Sequence, residues 1–284
     1  MSTDPVVAIT EQNAEGQVAE IYQDIRFTLG VPVVNLIWRH LATFPGALEW
    51  SWASVKPLYE ENIIHAEASA LRRKISVPVD FGLSPLHLKA SGLTEDDIYS
   101  IKIVLDSYHK SNAMNLISLS SLLARLNGKS TNSANYYIDL LDSVESKGVN
   151  GHMPELIPLN TMPESIRNLV MAINKIGGRE QILPSMYRHL ANWPQFLALI
   201  SLLLLHYEKK GILESHIESS INEAYIRGVQ ITGRLAVPDF FISDVVESQT
   251  KDALEKFTKG PLGKMTAIVS IIMNSISLGS CTKQ

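Results

Sequence analysis

The sequence predicts an all-α protein built from two tandem helical repeats that pair as an intramolecular pseudo-twofold dimer. Three observations predict it. Apolar residues recur at three- and four-residue spacing along most of the chain. The two-residue alternation of a half-buried strand is almost absent, and the few valine-rich stretches are short and broken by proline. Finally, one stretch is written twice. Trp38-Arg39-His40-Leu41-Ala42-Thr43-Phe44-Pro45-Gly46-Ala47-Leu48 returns as Tyr187-Arg188-His189-Leu190-Ala191-Asn192-Trp193-Pro194-Gln195-Phe196-Leu197. Six of the eleven positions are identical, and two more exchange one aromatic for another.

A copy about 150 residues away is no solenoid period, which runs to about 20–50. It reads as a duplicated half-molecule. Other echoes follow in the same order. Leu58-Tyr59-Glu60 is answered by His206-Tyr207-Glu208, and Val77-Pro78-Val79-Asp80-Phe81 by Val237-Pro238-Asp239-Phe240. Tyr108-His109-Lys110 ahead of Met114-Asn115 is answered by Phe257-Thr258-Lys259 ahead of Met265-Thr266. Duplication followed by insertion leaves such a series. The resulting division is a first repeat over 1–126, a linker over 127–162 and a second repeat over 163–284.

Taken in order, Val18, Ile21, Tyr22, Ile25 and Leu29 form one face of a helix that stops near Gly30 and Pro32. A second helix spans 33–41, and Pro45 opens a third carrying Leu48, Trp52, Val55 and Leu58. Helix continues over 67–77 as far as Pro78. Thr94-Glu95-Asp96-Asp97 is a capped, acidic helix start, and helices over 98–108 and 112–126 complete the first half. The linker is marked by Ser130-Thr131-Asn132-Ser133 and Lys147-Gly148-Val149-Asn150-Gly151, with a short helix over 136–144. The second half runs from Ile166 to Leu278. A covalent tandem of this kind packs equivalent faces together, and ligand sites commonly lie where they meet.

Bulk properties narrow the function. A net charge of −4 with mixed signs provides no basic face for nucleic acid. The single cysteine, Cys281, excludes a disulfide framework and thiolate metal clusters and suits a reducing compartment. No leader-like segment opens the chain, and the longest strongly apolar run, 196–205, is too short to span a bilayer. The expectation is a soluble cytoplasmic protein with no membrane or nucleic-acid partner, no metal and no cofactor. A homodimer is left open.

Several side chains are candidates for chemistry. His40 and His189 occupy equivalent positions and would face one cleft as acid and base, or else bond to neighbouring carbonyls. Arg39 and Arg188 are paired likewise; a guanidinium captures a carboxylate through two hydrogen bonds, or pairs with a nearby Glu. Asp80 and Asp239 read as caps of the next helix. His65 with Glu67, and Glu214 with His216, lack the helical spacing of a metal pair. Asn112 and Asn115 stand where the second half has 262–266, a departure from symmetry; an asparagine amide can hold a water or an anion.

The run Ile25-Arg26-Phe27-Thr28-Leu29-Gly30-Val31-Pro32-Val33-Val34-Asn35-Leu36-Ile37-Trp38-Arg39, followed by Tyr187-Arg188-His189-Leu190-Ala191 in the second repeat, resembles the group I 2-haloacid dehalogenases. The resemblance covers nearly the whole chain. It implies an all-α pseudo-dimer that hydrolyses the carbon–halogen bond of short 2-halocarboxylic acids in a cleft between repeats. In that family an aspartate deprotonates a water held with an asparagine, and the water displaces halide directly, with inversion.

Carried onto this chain, the resemblance implies that Asn115, or Asn112 as second choice, holds the water. Trp38, Leu41, Tyr187, Leu190 and Met265 line the substrate, and Arg39 or Arg188 anchors its carboxylate. The family aspartate finds no acid between 184 and 195, where Leu190 aligns. Either Glu180 or Asp239 reaches the cleft, or His189 substitutes as base, or the chain is a divergent member that binds small carboxylates or performs another hydrolysis. The stretch 67–126, with Gly92-Leu93-Thr94, is also distantly similar to the carboxymuconolactone decarboxylase and alkylhydroperoxidase D-like helical fold. The Cys-x-x-Cys of those hydroperoxidases is missing.

Overall fold

The computed structural model describes residues 6–76, 82–131 and 152–276. Among them the protein is all α-helical, with twelve helices and one isolated bridge, Leu83 to Ile276, in place of any sheet. Asp80, the helix expected over 136–144 and Cys281 lie outside the described residues.

Helices α1 (Gly16–Leu29), α2 (Leu36–Leu41), α3 (Ala47–Glu60), α4 (Ile63–Lys74), α5 (Pro85–Ala90) and α6 (Glu95–Leu126) come first. Then follow α7 (Glu164–Lys175), α8 (Ser185–Leu190), α9 (Pro194–Lys209), α10 (Ile212–Gln230), α11 (Asp244–Phe257) and α12 (Gly263–Ser275). A π-helical turn, Thr258–Leu262, joins the last two.

The elements recur at one offset. Helices α2 and α8 lie 149 positions apart, and so do Glu95 and Asp244, and Leu126 and Ser275. Backbone specials follow the same count. Left-handed Asn62 before α4 corresponds to Gly211 before α10, and Gly30 after α1 to Arg179 after α7. The N-caps match as well: Thr94 accepts from Asp97 N–H at 3.1 Å, and Ser243 from Val246 N–H at 3.4 Å. Asp239 caps nothing. It is exposed in the turn ahead of α11, and Ser243 fills that role.

Helix α6 is a single rod of 32 residues where the sequence pattern suggests two, buried on every side from Ser111 to Ala124. Its counterpart is broken, because Pro261 cannot continue the hydrogen-bond ladder and Gly260 leaves helical geometry (φ −104°, ψ −116°). The apolar cores ignore the division of the sequence. One gathers α1–α4 with Leu254 and Phe257 from the far half; the other gathers α7–α9 with Val104 and Tyr108 from α6. Each half thus lends the first part of its long helical stretch to the other's core, and the seam between them runs past Tyr108 and Phe257.

Candidate active site

At that seam lies a small inner cavity of about 40 Å³. Its walls come in pairs 149 positions apart: Asn35 with Pro184, Leu36 with Ser185, Ile37 with Met186, Tyr108 with Phe257, and Asn112 with Pro261. Met265 and Leu262 complete it. The start of each short helix, α2 and α8, faces the hollow because the rest of that helix is anchored in a core. The polar members of the hollow are Asn35, Tyr108, Asn112 and Ser185. Asn35 Nδ2 donates to Asn112 Oδ1 at 2.9 Å in the buried interior.

That leaves Asn35 Oδ1 and Asn112 Nδ2 without a partner. Turning both amides over would again leave one donor and one acceptor. Buried polar groups normally find partners, and a cavity of this size has room for roughly three waters. An acceptor and a donor side by side can hold one water by its hydrogen and its oxygen together.

A larger outer chamber of about 420 Å³ lies next to it, with more exposed walls. Arg39, Arg188, His189, Glu11, Val33 and Leu159 are among its lining residues. Two hydrogen-bonded pairs form the partition. Arg39 Nη2 on the outer side donates to Ser185 Oγ on the inner side at 2.8 Å. Tyr108 Oη on the inner side lies 2.9 Å from His189 Nδ1 on the outer side.

Burial, reinforced by the charges of Arg39 and Arg188, pushes the His189 imidazole down to about 3. Burial also pushes the Tyr108 hydroxyl well above its usual value. Both groups are neutral near pH 7. Glu11 accepts from Val34 N–H at 3.0 Å and pairs with Arg26.

The candidates from the sequence are only partly brought together. Asn112 and Met265 line the inner cavity, and Arg39, Arg188 and His189 line the outer chamber. Asn115 is fully buried and faces a core: its Oδ1 accepts from Trp38 Nε1 at 2.9 Å and from Tyr59 Oη at 3.3 Å. Trp38, Leu41, Tyr187 and Leu190, expected at the cleft, are placed away from both of these hollows. All four are fully buried and line neither cavity; Trp38 and Leu41 belong to one core, Tyr187 and Leu190 to the other. One residue along a helix turns the side chain by about 100°, so Ile37 and Met186 take the places expected of Trp38 and Tyr187.

His40 and His189 do not share a cleft either. His40 stacks on Phe257 at 5.6 Å and His189 lies 5.7 Å from Tyr108, reciprocal pairs across the seam. Glu180 and Asp239 are exposed and line neither cavity. Glu67 is held by Arg227 and Glu214 by Arg179, and among the described residues no cluster of His, Cys, Asp and Glu suits a metal. The sequence did not single out Asn35, Ser185 and Tyr108, which line the inner cavity. Tyr108 opens one of the internal echoes, a signal that could have marked it.

No family model matches the chain. It is 24% identical over 200 residues to a configuration-inverting 2-haloacid dehalogenase of Alcaligenes xylosoxydans xylosoxydans, covering 68% of this chain and 66% of that enzyme. A second configuration-inverting 2-haloacid dehalogenase, from Pseudomonas sp. (strain 113), is 26% identical over 66% of this chain and 63% of its own length. An (R)-2-haloacid dehalogenase of Pseudomonas putida is 30% identical over 98 residues, 32% of this chain and 33% of that protein. The chain therefore matches less than two thirds of the length of these relatives.

In fold the likeness is nearly complete. A mutant D-2-haloacid dehalogenase in complex with D-2-CPA superposes with a TM-score of 0.76 over 97% of both chains at 16% identity. D-2-haloacid dehalogenase in complex with L-LA gives 0.74 over 97% of this chain and 98% of that one, also at 16% identity. In sequence this chain is similar to 2-haloacid dehalogenases, and it shares the fold of D-2-haloacid dehalogenase.

Proposed function

We propose that the protein hydrolyses the carbon–halogen bond of short 2-halocarboxylic acids by direct attack of water in the inner cavity. The observation that carries the reading is the Asn35–Asn112 pair, with its spare acceptor and donor, beside an apolar hollow at the seam of the two halves. Water held there is oriented before it reacts, and orientation supplies much of the barrier lowering in such displacements. Its oxygen forms the new bond to C2, the C2–halogen bond breaks, and halide leaves with the electron pair. One water proton passes to the Tyr108 oxygen while the Tyr108 proton moves to His189 Nδ1, and His189 returns it to solvent through the outer chamber.

An imidazole held at about 3 is a poor base by itself. Burial is the main reason it stays neutral, and a bound carboxylate offsets the two arginine charges that add to it, raising its proton affinity. Under this reading Asn112 takes the water-holding role, Met265 shapes the hollow, and Arg39 and Arg188 draw in the anion. Asn115, Trp38, Leu41, Tyr187 and Leu190 act through the cores behind it. The lobes 1–126 and 163–284, joined by 127–162, are read as pseudo-twofold halves of a cytoplasmic enzyme that needs no cofactor. No described helix is long and apolar enough to cross a membrane.

The test is halide release from each enantiomer of 2-chloropropionate. Asn112→Ala is expected to lower kcat by about 100-fold or more while the far-ultraviolet dichroism stays unchanged. Wild-type protein releasing no halide from either enantiomer would sink the proposal. One observation favours a second reading: no carboxylate stands among the residues lining the inner cavity. A binding protein for small carboxylates would show a rise in Tm with ligand and no halide release.

A further inference from the structure

We propose that the outer chamber is a second binding site, for small organic carboxylates, built on the guanidinium of Arg39. This goes beyond the chemistry assigned to the inner cavity and does not require it. Arg39 is only 5% exposed, yet its one side-chain hydrogen bond is to Ser185, and its Nε has no partner. Among the described residues no carboxylate pairs with it. An arginine offers five N–H donors in a planar fork, and burying such a charge without a counter-charge is costly. An anion in the chamber would supply what the protein does not.

The other charges agree with that reading. Glu11 is the one carboxylate among the lining residues, and it is already engaged by Arg26 and by the Val34 amide. Arg188 lines the same chamber as Arg39. His189, which lines it too, experiences both as positive charges.

Size and lining select the class of ligand. A chamber of about 420 Å³ falls within the range of organic-ligand pockets and is far larger than a halide needs. Val33, Leu156 and Leu159 offer apolar wall to a carbon skeleton, while the guanidinium fork fits a carboxylate through two parallel bonds. A bare halide would leave both the fork and the apolar wall unused. Ser185 and Tyr108 stand between the chamber and the inner cavity, so propionate can occupy the chamber without touching Asn112.

Calorimetric titration of the full chain with propionate, which carries no halogen, tests this. One propionate site is expected, retained within about twofold in Asn112→Ala and weakened about tenfold or more in Arg39→Lys, whose ammonium loses the two-pronged contact. Leu159→Trp, at a half-buried edge of the chamber, should weaken it equally by filling the space, and carries the test alone should Arg39→Lys not fold. The proposal is overturned by no propionate binding, or by binding that Asn112→Ala abolishes and Leu159→Trp leaves intact. Displacement of propionate by equimolar chloride would overturn the choice of ligand class. Halide release from 2-chloropropionate, measured in parallel, separates the two readings: its absence with the propionate site intact removes the catalytic reading and spares the chamber.

Discussion

Asn112 and Asn115 show how little separates a cavity-lining residue from one buried in a core. Three positions along an α-helix leave their side chains about 60° apart, and here that angle decides between a hollow and a core. The departure from internal symmetry singles out both residues in the sequence. It cannot say which way each points, because that depends on where the helix crosses its neighbours. Asn115 Oδ1 serves two buried donors, so its removal strands Trp38 Nε1 and leaves Tyr59 Oη only its bond to Ser118 Oγ at 2.8 Å. Asn115→Ala is expected to destabilise the fold by about 1–3 kcal/mol, read from the urea midpoint, with far less effect on kcat than Asn112→Ala. Equal losses of kcat in both variants, at equal stability, would contradict these assignments. The aromatic pair Trp38 and Tyr187 teaches the same lesson: the repeat finds the short helices, but one step of register decides which residue faces the cavity.

Among the elements, the decisive contact is α10 lying on α6. Gly228 in α10 has no side chain where the α6 backbone passes; a Cβ built there would meet Ser121 N at 2.8 Å and the Ser120 carbonyl carbon at 2.9 Å. These are main-chain atoms of a long helix and cannot swing aside. Gly228→Ala is therefore expected to cost about 2 kcal/mol or more by overpacking, despite alanine's better helix propensity, and to lower Tm. An unchanged Tm would mean the two helices can part without cost. Because α6 carries Tyr108 and Asn112 to the seam, the same substitution should also depress halide release.

Helix positions and caps are legible from periodicity and from Thr94-Glu95-Asp96-Asp97, since both are local. The exchange of long helices between cores is not, because a buried apolar stripe looks the same whichever half it packs against. Pro261 is a partial exception. Its presence opposite Asn112 marks in the sequence where the second long helix must break, and so where the two halves cease to be alike.

Over the whole molecule, buried histidines tie stability to pH. Burial pushes His189 and His109 down to about 3 and His216 to about 4; the arginines beside His189 and the Arg72 and Lys110 charges near His109 add to it. In the unfolded chain each would titrate near its ordinary value of about 6.5. Below that pH the unfolded state takes up protons that the folded state refuses. The stability contributed by keeping these rings neutral is thus complete above about pH 6.5 and is lost as pH falls toward 3–4. Each ring contributes a slope of up to about 1.4 kcal/mol per pH unit, so three together remove several kcal/mol by about pH 5, a large share of a typical domain's 5–15. Urea midpoints at pH 7, 6 and 5 should fall steadily. His216→Gln, in α10 and away from both cavities, should flatten that fall by about a third even though it lowers stability at pH 7. A midpoint constant from pH 7 to 5 would mean that the rings take up protons inside the fold, and the proton path from Tyr108 to His189 would then begin from an already charged imidazole that can accept nothing.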